Sequence, residues 1–191
     1  MTDEFARAHM TLRRSADFFF VSLARCSAPT SALQTISHRL RSKVIGNGLR
    51  ELDRFLNILI DEAACRRHLP IAPRQRNTAN KLQEFWSKIG VSSDGYVRLR
   101  ALGRSRDCLF HCDGIARRAD VDDTGVMTLG WPGKNGLLQA ARLGSAINVK
   151  RADLQSVRAF YNQLADDLHL AAGRCPTELC PSSSMPQSTI A

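Results

Sequence analysis

The chain has 191 residues, 43% of them apolar, with 27 Lys and Arg against 18 Asp and Glu, giving a formal charge of +9. That length supports one full hydrophobic core, and the composition is that of a globular protein rather than a disordered one. No run of about eighteen apolar residues occurs, so a helical membrane span is excluded. The run Phe18-Phe-Phe-Val-Ser-Leu-Ala24 is too short for one. With Asp3, Glu4 and Asp17 around it and no small-residue cleavage site, it does not read as an export signal either. Cys26, Cys65, Cys108 and Cys112 sit inside apolar helical patterns, so the six cysteines read as reduced thiols in a cytoplasmic protein. The surplus of positive charge, with a pI near 9.8, points to a polyanionic partner.

Thr2 to about Cys26 reads as a helix, with Thr2 as cap and Asp3 and Glu4 in its first turn. A second helical region starts at Thr30 or Ser31 and runs to about His68. Gly46-Asn47-Gly48 interrupts its pattern. Two interior glycines cost a helix about 1 kcal/mol each, so a break, a bend or a close helix–helix approach is expected there. The stretch Leu49 to Cys65 is the most strongly patterned of all and belongs in the core. Pro70 and Pro73 make 69–77 a loop, bordered by Arg66, Arg67, Arg74 and Arg76. A short helix follows from Thr78 to Ile89. Ser92, Ser93 and Asp94 then offer a cap to a helix running from about Gly95 to Cys112.

Asp113-Gly114 ends that helix through a left-handed residue. Between Ile115 and Val149 glycine recurs, and two short strands, Val126–Leu129 and Ala146–Val149, are expected. A last amphipathic helix spans Lys150 or Arg151 to about Ala172. The segment 173–191, rich in Pro and Ser, reads as a disordered tail. The expected architecture is all-α: one up-and-down helical bundle over 1–172, with its core in 31–172, an N-terminal helix in 1–30, and a Gly-rich, hairpin-bearing insert before the last helix.

The chemistry concentrates in Arg106-Asp-Cys-Leu-Phe-His111. Arginine forks onto phosphate oxygens, and imidazole exchanges protons near neutral pH. Asp107 precedes His111 by one helical turn, so it is placed to orient the ring. At roughly 100° per residue, Leu99, Leu102, Leu109 and Phe110 fall within roughly 60° of Arg106, so the arginine projects from an apolar stripe. Arg100, Arg104, Asp107 and His111 share a separate polar wedge, and Val97, Ala101, Cys108 and Cys112 form a third, apolar side. A guanidinium ringed by Leu and Phe is costly to desolvate alone. It is tolerated if a partner surface, or a second copy of the helix, covers the stripe and supplies an anion. The plainer alternative is an Arg that snorkels to water beside a surface His–Asp pair. Arg117 and Arg118 extend the basic region.

The motif Arg106-Asp-x-x-x-His111, followed by Gly114 and Ile115, resembles the signature of the HEPN superfamily, and the order of elements around it is similar. The resemblance covers about Ser31 to Ala172. It implies a helical bundle that homodimerises through the 95–112 helix. It also implies a metal-independent endoribonuclease, of a kind often found among toxins and defence proteins, with no cofactor. In that role Arg106 would hold the scissile phosphate. His111 would move a proton at the 2′-hydroxyl or the leaving oxygen, and Asp107 would orient His111, giving a 2′,3′-cyclic phosphate. Arg100, Arg104, Arg117 and Arg118 would contact the RNA, and an antitoxin protein would be a further partner. The alternative is a non-catalytic helical module that binds nucleic acid or a partner protein. Cys108, His111 and Cys112 partly converge on a helix, but without a fourth ligand or zinc-like spacing they read as packing residues rather than a metal site. A P-loop is not supported, because the glycines at 130–136 lack its spacing and its Ser or Thr.

Overall fold

A computed structural model of the chain describes residues 3–25, 38–70, 77–120, 124–133 and 135–173. Among these residues, five helices and one two-stranded hairpin follow in the order α1 (Glu4–Arg25), α2 (His38–Arg66), α3 (Thr78–Lys88), α4 (Gly95–His111), β1 (Val126–Pro132), β2 (Leu138–Arg142) and α5 (Arg151–Gly173). The architecture is mainly helical, and no helix among the described residues is long and apolar enough to cross a membrane. The expected starts of the second helix at Thr30 or Ser31, the arginines at 74 and 76, and the 173–191 tail from residue 174 onward lie outside the described residues.

α2 is the central helix, packed against α1, α3, α4 and α5. Its patterned half places Leu49, Leu52, Leu56, Leu59 and Ile60 in the core. The Gly46-Asn47-Gly48 step is not a break. α2 runs through it unbroken, and each glycine serves one helix crossing. A Cβ on Gly46 would lie 3.0 Å from the Phe110 backbone nitrogen of α4, and one on Gly48 would lie 2.6 Å from the Phe19 ring of α1. The helix propensity lost at the two glycines is offset by close packing on two sides. Gly46→Ala is therefore expected to destabilise the fold by about 1–3 kcal/mol, measured by urea unfolding, because the atom it meets is backbone and cannot rotate away.

Asn77 caps α3, its side-chain oxygen accepting from the Asn80 amide at 3.1 Å. α4 begins where Ser93 Oγ accepts from the Gly95 amide. It ends where Asp113 and Gly114 take φ of 54° and 79° and the Gly114 amide returns to the Cys108 carbonyl. Arg39 and Lys43 of α2 reach Asp113 and fasten that turn.

The hairpin departs from the sequence reading in its second strand. β1 pairs antiparallel with β2, and the expected strand at Ala146–Val149 contributes one bridge, Ile115 to Ala146. β2 reads Leu-Gln-Ala-Ala-Arg, residues of weak strand propensity, and it is a strand because β1 supplies its hydrogen bonds. β1 buries Met127, Leu129 and Trp131 and lies across α4 at Gly130. The Gly130 amide donates to Ser105 Oγ at 3.1 Å, while its carbonyl accepts from Arg98 Nε at 3.0 Å. The glycine-rich insert thus braces α4 from behind and leaves the opposite side of that helix open.

Candidate nucleic-acid interface

The open side of α4 forms one wall of a cleft of about 640 Å³. Arg100, Gly103, Arg104, Arg106 and Asp107 line it from α4, Asp53 from α2, the first turn of α3 from Asn77 to Asn80, and Arg118 to Asp120 from the segment after α4. The helical wheel predicted much of this wall. Arg100, Arg104 and Asp107 of the polar wedge face the cleft, whereas His111, its fourth member, does not line it.

The apolar stripe around Arg106 is covered by the chain itself. Leu99, Leu102 and Leu109 are buried, and α2 crosses the stripe at Gly46. The anion expected from a partner is Asp53, whose Oδ2 lies 3.4 Å from Arg106 Nη1. The stripe is therefore an internal face, and what α4 leaves exposed is Val97, Arg100, Asp107 and His111. Asp107 turns back onto Arg106 as well, with its Oδ1 at 2.9 Å from both Nε and Nη2. It makes no hydrogen bond to His111, contrary to the orienting role expected of it. His111 is exposed at the C-terminal end of α4. Its ring stands edge-on to Phe110, which in turn packs under the Arg50 guanidinium.

Arg100 and Arg104 are also held. Arg100 donates to Asn80 Oδ1 and Gln83 Oε1, both at 2.9 Å, and lies over the Tyr96 ring. Arg104 Nε pairs with Asp120 Oδ1 at 2.7 Å, while the other carboxylate oxygen of Asp120 accepts from the Thr128 amide. Arg118 lines the cleft with no side-chain partner among the described residues, and Arg117 is exposed outside it. Of the basic cluster at 66–76, Arg66 pairs with Asp3 and Arg67 donates to the Ala171 carbonyl, so both tie the helix ends together.

Asp53, Asn77, Thr78, Asn80 and Asp120 were missed from sequence. A signal for Asp53 was present. It stands one position from Leu52 and four from Leu49 in the core-facing pattern of α2, just as Arg106 stands in the apolar stripe of α4. Two opposite charges, each on an otherwise apolar face, imply a pair.

Burial pushes the Asp53 carboxyl above its ordinary value, against the pull of Arg106 and a hydrogen bond from the Thr78 hydroxyl, with the negative charge of Asp107 adding to the rise. The Tyr161 phenol, fully buried and coupled to Asp53, is raised far more, chiefly by its burial. An Asp whose folded value is raised binds more protons in the native state than in the unfolded one. It therefore favours the native state below the ordinary carboxylate value, and that advantage is lost as pH rises through the raised value. Asp53→Asn is accordingly expected to raise the melting temperature at pH 7 and leave it unchanged near the acid end, as thermal unfolding at the two pH values will register.

Burial likewise raises the Cys108 thiol, which contacts Met127 Sδ at 3.5 Å inside the core. It is thus separated from exposed His111, and among the described residues no three His, Cys, Asp or Glu side chains group as a metal site. Comparison of the chain with family models, with curated proteins and with solved structures returns no match.

Proposed function

We propose that this cleft holds the phosphate backbone of RNA and that the chain is a metal-independent endoribonuclease of HEPN type. The observation that carries the proposal is the convergence of Arg100, Arg104, Arg106 and Arg118 on one cleft beside the first turn of α3. Guanidinium forks spaced along a groove suit successive phosphates, and the amides of a helix start favour anions. In this reading Arg106 exchanges a carboxylate for the scissile phosphate and stabilises the charge that develops on it. His111 supplies proton transfer. Because it lies outside its own cleft, it acts in the cleft of a second copy, in a homodimer formed through the polar wedge of α4. A toxin or defence role in the cytoplasm, with an antitoxin protein masking the basic cleft, completes the reading.

One observation favours a second, non-catalytic reading, in which the cleft binds nucleic acid without cutting it. Arg106 is already matched by Asp53 and Asp107, and His111 faces solvent. Labelled RNA incubated with the protein in EDTA separates the two. Chelator-resistant cleavage to a 2′,3′-cyclic phosphate, lost in both Arg106→Ala and His111→Ala, supports the nuclease. A gel shift of intact RNA supports the binding module. RNA that is neither cut nor shifted refutes both.

A further inference from the structure

Cleavage through the 2′-hydroxyl needs a proton acceptor within reach of the phosphate that Arg106 would hold, and among the described residues the cleft contains no histidine. Among the described residues it contains three carboxylates. Asp120 is committed through both oxygens, to Arg104 and to the Thr128 amide. Asp107 is the most exposed of the three and folds onto Arg106 from the same helix. Asp53 is different. It comes from the central helix, sits beside the Arg106 guanidinium, and lines the cleft together with Thr78 at the start of α3. About a quarter of its side chain is still open to the cleft, at 27% exposure.

We propose that Asp53 is the proton acceptor for the 2′-hydroxyl in this cleft, a catalytic residue outside the Arg–His motif. The assignment rests on the RNA-cleaving reading above and deepens it. In the step, the Asp53 carboxylate takes the 2′-hydroxyl proton as that oxygen bonds to phosphorus. The bond from phosphorus to the 5′-oxygen breaks, and the departing oxygen takes a proton from the imidazolium of the second copy's His111, which leaves that histidine the acid half of the reaction. No group is oxidised or reduced. The products are a 2′,3′-cyclic phosphate and a 5′-hydroxyl.

The surroundings suit a base. α4 presents Arg106 and Asp107 to Asp53, Thr78 faces it from the start of α3, and the buried Tyr161 phenol of α5 lies within electrostatic reach of it. Burial raises the carboxyl towards the working pH of a proton acceptor, while Arg106 keeps the charged form attainable.

The test uses the full chain, a fluorescent single-stranded RNA of mixed sequence, and EDTA throughout. Cleavage and gel-shift affinity are measured from pH 4 to pH 9 for wild type, Asp53→Asn and Asp53→Glu, with a melting curve for each variant. The expected result is a fall in cleavage of about a hundredfold or more in Asp53→Asn, with RNA binding unchanged or tighter because one negative charge has left the cleft. Asp53→Glu should keep measurable cleavage with a displaced acid limb, a readout that a purely structural residue would not move. Asp53→Asn that melts at or above the wild-type temperature and cleaves within about threefold of wild type overturns the assignment, since general-base removal costs far more. Wild type that binds RNA without cutting it overturns the assignment and leaves RNA binding standing. Wild type that does neither overturns both.

Discussion

Gly130→Ala is expected to destabilise the protein by about 3 kcal/mol, the upper end of overpacking penalties. A Cβ at this position would lie 2.7 Å from the Leu102 Cα and closer still to the leucine side chain. The backbones cannot part cheaply, because Ser105 and Arg98 hold the Gly130 amide and carbonyl against α4. For a domain of this size such a loss corresponds to a fall of roughly 6–12 °C in melting temperature. Gly103 supplies the control of opposite sign. It lies in the interior of α4 with open space where its Cβ would be, so Gly103→Ala should stabilise by about 0.5–1 kcal/mol. Thermal denaturation of the two variants side by side checks both. Equal melting temperatures would mean that the hairpin does not brace α4 in the way described.

If the proposed RNA cleavage occurs, Arg106→Ala is expected to lower it by a factor of about 10² to 10³, the usual effect of removing one donor from a developing oxyanion. It should also lower stability at neutral pH, by about 1–3 kcal/mol, because a part-buried carboxylate loses its opposite charge. The pH dependence of that loss follows from the sign already derived for Asp53. Without Arg106 its carboxyl rises further, so the destabilisation is greatest above the raised value and shrinks as acid protonates the group. The double variant Asp53→Asn/Arg106→Ala should recover most of the stability and none of the cleavage. Urea unfolding at pH 5 and pH 8, with cleavage measured in parallel, separates the two effects. If Arg106→Ala is as stable as wild type at both pH values, the Arg106–Asp53 pair is not what keeps the arginine on an apolar face.

Helical periodicity made the bundle legible before any coordinates, since long amphipathic stretches announce themselves. The motif helix was placed at 95–112 and is found at Gly95–His111, and the last helix was placed from 150 or 151 to 172 and is found at Arg151–Gly173. The hairpin partner was misplaced because β2 owes its conformation to β1 rather than to its own residues. The Gly46–Gly48 step shows how a local signal can be ambiguous. Glycine weakens an isolated helix, yet here it allows α1 and α4 to approach α2, and only tertiary packing distinguishes those outcomes. At the cleft, neighbours along one helix are readable, so Arg100, Arg104 and Asp107 share a face in the sequence pattern, whereas Arg106, assigned to the apolar stripe, lines the same cleft beside them. Asp53 was not readable in this way, because it lies 53 residues away on another helix. His111 shows the converse. Spacing along the chain placed it near Asp107, but the ring turns towards Phe110 while Asp107 turns towards Arg106.

The proposal that the arginines of this cleft hold an RNA backbone is tested most directly by the salt dependence of binding to single-stranded RNA, measured for wild type and for Arg100→Ala, Arg104→Ala and Arg118→Ala. Weaker binding is expected in each variant, with the slope of log affinity against log salt reduced by about 0.7 for every arginine removed. Variants that bind with wild-type affinity and an unchanged slope would contradict the proposal and move the nucleic-acid interface elsewhere on the chain.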